Sequence, residues 1–175
     1  MKACLFTIFL TMATSLAAVA QESLIENLDK ELIFRKEYTM KLYKFNVGHS
    51  CDQVKGETIM YDGKLSRCFD YIRDISPDTA QQVVRLMKSP DTYGNGYSAC
   101  FFTEYALLII NTKSEVHSYV SLSFKCNQLT AYPGIKEQDN IKKGELYLYG
   151  FSKKGYAGLS RLLLLTKDVG LAWKH

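Results

Sequence analysis

The chain has 175 residues, of which 47% are hydrophobic and 23% charged, with a formal net charge of +4. A chain of this size buries roughly 68–70% of its unfolded surface and sustains one core unaided, so one domain is expected. The charge is too mild for the concentrated basic stripe of a nucleic-acid binder, and the pairs Lys142-Lys143 and Lys153-Lys154 read as solvated turns.

Lys2, an apolar run from Ala3 to Val19 and the small residues Ala18-Val19-Ala20 form the three parts of an export signal, with cleavage near Ala20. Its stretch from Leu5 to Leu16 is too short and too rich in Thr and Ser to span roughly 30 Å of hydrocarbon comfortably. Residues 1–20 are therefore expected to leave, and residues 21–175 to form a single periplasmic or secreted domain with no membrane insertion. Cys4 leaves with the signal, and Cys51, Cys68, Cys100 and Cys126 remain. An even number of cysteines in an oxidising compartment reads as two disulfides. No two of them have the close spacing of a structural zinc site, so no metal is expected.

Leu24, Ile25, Leu28, Leu32 and Ile33 recur at helical spacing and predict a first helix over Ser23 to Glu37. Tyr38 to Val47 alternates loosely and carries strand-favouring residues. Asp62-Gly63 predicts a tight hairpin between Thr58–Tyr61 and Lys64–Ile72. Ser76-Pro77 is a helix start, and Ala80, Val83, Val84 and Met87 form its buried stripe before Ser89-Pro90 stops it. A loop from Asp91 to Tyr97 follows.

Cys100 to Ile110 is apolar at nearly every position, as in a central strand covered on both sides. From Val116 to Cys126 the even positions are mostly apolar, which predicts a strand with one buried face. Setting Cys100 opposite Cys126 places Phe102 opposite Phe124, Ala106 opposite Val120 and Ile110 opposite Val116, and a one-residue slip would undo this agreement. Register therefore favours a Cys100–Cys126 bridge and leaves Cys51 for Cys68, each contributing on the order of 3–4 kcal/mol. Glu145 to Tyr149 reads as a last strand, and Ser152 caps a third helix with Tyr156, Leu159, Leu162 and Leu163 inward. Together these elements predict an α+β domain with a mainly antiparallel sheet and about three helices, stapled by disulfides.

No catalytic set and no cofactor motif is present. The three histidines, His49, His117 and His175, are too scattered for a metal cluster. Glu104 falls on the apolar side of the expected register, where an unpartnered carboxylate would have a raised pKa; a bulge that turns it outward, or a pairing with an arginine such as Arg85 or Arg161, is the plainer reading. The twelve tyrosines and the loop Tyr93-Gly94-Asn95-Gly96-Tyr97 point to a contact surface, because tyrosine offers rigid area with a polar tip. Candidate binding residues are that loop together with Glu104, Tyr105, His117 and Tyr119.

Tyr93-Gly94, Ala99-Cys100-Phe101, Phe124-x-Cys126-Asn127 and Phe151-Ser152-x-x-Gly155 resemble the motifs of a group of small exported bacterial proteins. That group often has Pro and His after its first cysteine motif and another cysteine just before Phe-x-Cys. Here Thr103, Glu104 and Tyr105 stand at the former place and Ser123 at the latter. The resemblance implies a compartment and a fold more than an activity.

The leading expectation is a non-enzymatic binding protein, an inhibitor or immunity-type protein acting on an envelope enzyme. A small hydrolase or isomerase using Glu104 with Tyr105, Tyr119 or His117 is the alternative from another class, and a structural accessory of the envelope is the third.

Overall fold

A computed structural model describes residues 36–46, 48, 59–61, 63–95, 102–135, 142–143, 146–147, 150–163 and 165. The export signal, the first expected helix from Ser23 up to residue 35, and the cysteines Cys51 and Cys100 lie outside the described residues.

The apolar run seen in the sequence becomes the middle of the sheet. Strand β6 (Tyr105–Asn111) is buried from Tyr105 through Ile109. It lies between β1 (Tyr38–Phe45) and β7 (Val116–Ser123), with β4 (Phe69–Ile75) and β8 (Gln128–Tyr132) at the edges, giving the order β4-β1-β6-β7-β8. All four ladders are antiparallel. Burial on both faces divides the core. On one side Met40, Leu42, Tyr105, Leu107, Ile109, Val120 and Leu122 meet the helices; on the other Phe45, Phe69, Ala106 and Leu108 pack with Ile59 and Cys68.

Two α-helices are present among the described residues, α1 (Pro77–Met87) and α2 (Lys153–Leu162). Both start where the sequence places them. Ser76 accepts from the Thr79 amide and Ser152 from the Gly155 amide, relieving free donors of the first turn. The stripe Ala80, Val83, Val84 and Met87 is buried against the sheet, as are Tyr156 and Leu159 of α2. The first expected helix falls outside the described residues but for its last two positions, so the α+β class and the mainly antiparallel sheet stand here with two helices.

The Asp-Gly hairpin forms, but it is short. Strands β2 (Met60–Tyr61) and β3 (Lys64–Leu65) pair across a loop in which Gly63 has φ +72°, a value favouring glycine. The expected long second strand breaks at Ser66, which accepts the amides of Cys68 and Phe69, so β4 begins only at Phe69. The segment Tyr93–Asn95 is not a free loop. It forms β5 and pairs with β11 (Gly150–Phe151). Of the expected last strand, Glu145 to Tyr149, the described residues are Leu146–Tyr147, which form β10 and pair with β9 (Lys142–Lys143).

The β6–β7 register differs from the expected one. Ile110 faces Val116 as foreseen, but His117 is an extra residue, and beyond it Ile109 faces Ser118, Leu107 faces Val120 and Ala106 faces Ser121. A single bulge moves every later pair by one place. The ladder ends at Tyr105 and Leu122, and residues 124–127 form a turn. Cys126 therefore lies in the turn beyond the ladder and not on the strand, where the expected register sets it opposite Cys100. Nor is β7 buried on one face alone, since Ser121 and Ser123 are buried as well. Cys68 and Cys126 are buried and disulfide-bonded, and the pairings expected for them involve cysteines outside the described residues.

The start of α2 is locked against the turn before β5. The Thr92 carbonyl accepts the Ser152 amide at 2.8 Å, and a Cβ on Gly155 would collide with that same carbonyl. Gly155→Ala is accordingly expected to cost about 1–3 kcal/mol in urea unfolding. Gly134→Ala, with nothing within 4 Å of the added carbon, is expected to change stability by less than about 0.5 kcal/mol.

Candidate binding face

The residues singled out in the sequence do not converge on one surface. Tyr93 is buried and its hydroxyl donates to the Met87 carbonyl at 2.6 Å. Tyr105 is buried on the helix side, edge-on to Phe124 with ring centroids 6.1 Å apart. His117 is the exposed bulge residue and meets Tyr38 edge-on at 5.4 Å. Tyr119 points to the opposite face of the sheet. Gly94 is exposed with φ +130° and Asn95 is in β5, while Gly96 and Tyr97 lie outside the described residues.

The motif residues instead form a structural knot. Phe124 stacks on Phe151 at 5.8 Å and 24°. It also meets Tyr156 edge-on at 5.2 Å. Asn127, at φ +54°, ties the β7–β8 turn to β11: its side-chain amide donates to the Phe151 carbonyl and its own carbonyl accepts the Phe151 amide. These residues close the helix layer onto the end of the sheet.

Glu104 belongs to this knot. Its carboxylate accepts the Lys125 amide at 2.7 Å and lies 3.7 Å from the Lys125 ammonium, with the side chain 15% exposed. Its partner is thus Lys125, neither Arg85 nor Arg161, and both oxygens serve the turn. Tyr156, only 6% exposed, has its phenol pushed up to about 12, first by burial and then by the Glu104 charge.

The surface with binding chemistry is on the other side of the sheet and was assembled by register, not by sequence proximity. One row across all five strands reads Asp74, Lys41, Leu108, Tyr119, Tyr132; the next reads Tyr71, Tyr43, Ala106, Ser121, Thr130. Leu108 and Ala106 are buried in the middle, and an aromatic pair stands on each flank. Tyr43 and Tyr71 meet edge-on at 5.6 Å, and Tyr119 and Tyr132 stack at 5.6 Å and 21°. The outer members are the exposed ones, Tyr71 at 55% and Tyr132 at 59%.

Charge on this face is compensated. Lys41 lies 3.9 Å from Asp74, and Tyr71 donates to that carboxylate at 3.1 Å. Burial raises the Tyr43 pKa above its ordinary value, with the nearby Tyr71 and Asp74 adding to it. Tyr71 is raised too, by desolvation and by the hydrogen bond to Asp74. Lys41, Tyr43, Tyr71, Asp74 and Tyr132 were missed in the sequence. Alternation at Thr39, Lys41 and Tyr43 marks one strand of the face, but only pairing shows that the other tyrosines join it.

No family model matches the chain, and no curated protein or solved structure matches it either. No group of three or more potential metal ligands occurs among the described residues, and no helix among them is long and apolar enough to cross a membrane.

The Tyr156 shift sets the sign of an alkaline effect. Its neutral form is favoured in the fold, so the stabilisation is complete below the ordinary value of 10.0 and is lost as pH rises through about 12. Stability measured by urea unfolding is expected to fall less steeply over that window in Tyr156→Phe than in the wild type. Equal slopes would contradict the assignment.

Proposed function

We propose that this is an exported binding protein of the cell envelope, cleaved near Ala20 and released as a periplasmic or secreted domain. Its first helix covers Ser23 to Glu37, and the disulfide partners of Cys68 and Cys126 are Cys51 and Cys100. The domain works without catalysis, holding a protein partner as an inhibitor or immunity-type protein holds an envelope enzyme.

The observation that carries this reading is the placement of the exposed Tyr71 and Tyr132 on one face, each backed by a second tyrosine ring. Backed aromatic rings lose little side-chain freedom on binding and supply the anchors around which protein contacts concentrate. They stand four strand intervals apart, roughly 19 Å at the usual strand spacing. That separation fits within the roughly 800 Å² that each partner buries in an ordinary interface. The engagement of both Glu104 oxygens by Lys125 weighs against the hydrolase or isomerase reading, which needs that carboxylate turned into a pocket.

Photo-crosslinking residues placed singly at Tyr71 and Tyr132 in producing cells are expected to give the same discrete protein adduct. The same residue at the exposed Asp78 and Lys113, away from that face, is expected to give none. No adduct at either tyrosine, or one adduct shared by all four positions, would overturn the assignment.

A further inference from the structure

The outer surface of the helix layer carries a second concavity, away from the tyrosines. It is a groove of about 800 Å³ between α1 and α2, lined by three cations, Arg85, Lys154 and Arg161, and, among the described residues, by no carboxylate. The two helices meet closely below it, where a Cβ on Gly158 would lie 2.6 Å from the Leu86 side chain. Glycine at this point lets the helices approach while their exposed arginines stay at the rim.

The cations are not equivalent. Lys154 is held by Asp91 at 2.7 Å, and the Asp91 carboxyl is kept below its ordinary range by that hydrogen bond. Arg85 and Arg161 have no hydrogen-bond or ion-pair partner among the described residues. Each sits in the last turn of its helix, where a cation also favours the backbone dipole. That role explains one arginine per helix; it does not explain why both open into the same groove with no acid between them.

We propose that this groove docks an acidic, amphipathic polypeptide segment. Guanidinium groups pair with carboxylates through two parallel hydrogen bonds, which gives such a segment two fixed points. Between the arginines the lining includes Leu86, Ala157 and Leu162. A small inorganic anion has no use for that apolar floor, whereas a peptide bearing leucine among its acids covers it. The inference stands apart from the tyrosine face and does not require it.

The test uses a labelled peptide of mixed glutamate and leucine, its lysine-for-glutamate counterpart, and inorganic phosphate as competitor. Binding to the mature protein is measured by fluorescence anisotropy for the wild type, for Arg85→Glu with Arg161→Glu, and for Arg85→Lys with Arg161→Lys. The acidic peptide is expected to bind, the basic one not to, and the double reversal to weaken binding by about tenfold or more. The lysine variant keeps the charge but loses the paired hydrogen bonds of the guanidinium, so it is expected to bind more weakly than the wild type and more tightly than the reversal, and that drop carries the test where the reversal does not fold. Raising the salt concentration is expected to loosen the complex. Equal affinity for the two peptides, no loss on reversal, no binding at all, or displacement by millimolar phosphate would each overturn the proposal. Crosslinking from Tyr71 and Tyr132 is expected to survive the reversal, which separates failure of this site from failure of the tyrosine face.

Discussion

Tyr105 to Ile109 of β6 are all buried, and an unbroken apolar run of this kind is stable only where both faces of the strand are covered. That requirement organises the molecule. On one side it calls for the helices, whose stripes meet Leu107, Ile109 and their neighbours. On the other it draws Phe45, Phe69 and Ile59 over Ala106 and Leu108. The strand order follows, since β6 has two strands on each side of it. The exposed Tyr71 and Tyr132 stand on the two edge strands, β4 and β8.

The aromatic knot is the other fixed point. Tyr105, Phe124, Phe151 and Tyr156 come from β6, the β7–β8 turn, β11 and α2. Two separate stretches of the chain thus share one packed corner, worth on the order of 0.5–1.5 kcal/mol per ring pair beyond simple burial. Asn127 and Glu104 hold the turn that presents Phe124. The short motifs that first suggest a site are thus accounted for by architecture. Phe-x-Cys-Asn is a turn with a left-handed asparagine, and Phe-Ser-x-x-Gly is a helix cap with a glycine pressed against a carbonyl.

What was legible in the sequence is what depends on neighbours along the chain. Ser76 and Ser152 cap helices, the 80-83-84-87 stripe is buried, and Gly63 turns a hairpin, all from local chemistry. What was not legible depends on pairing between strands. His117 adds one residue to β7, and no periodicity within β7 announces it. Ser121 and Ser123 read as outward because they are polar, yet a small hydroxyl is buried cheaply when it finds a partner. Ser123 accepts the Cys126 amide, and Ser121 shares a contact with Thr103. No periodicity marks β8, because Gln128 to Tyr132 is short and only partly apolar. Without β8 the Tyr119–Tyr132 pair cannot be seen, and the candidate face stays hidden.

A two-layer domain has two outward surfaces, and here they differ in chemistry. The sheet side offers aromatic rings with its charge internally balanced between Lys41 and Asp74. The helix side offers guanidinium groups without partners among the described residues. Balanced aromatic surfaces act through contact, since their attraction is short-ranged and governs how slowly a complex comes apart. Unbalanced cationic grooves act at a distance and govern how fast, and in which orientation, an acidic partner arrives. Because α1 and α2 separate the groove from the sheet, neither surface needs to move for the other to be occupied. The two sides of the sheet come closest at the edge strand β4, where Tyr71 lies on the sheet face while Arg73 donates to the carbonyl of Leu163 beyond α2.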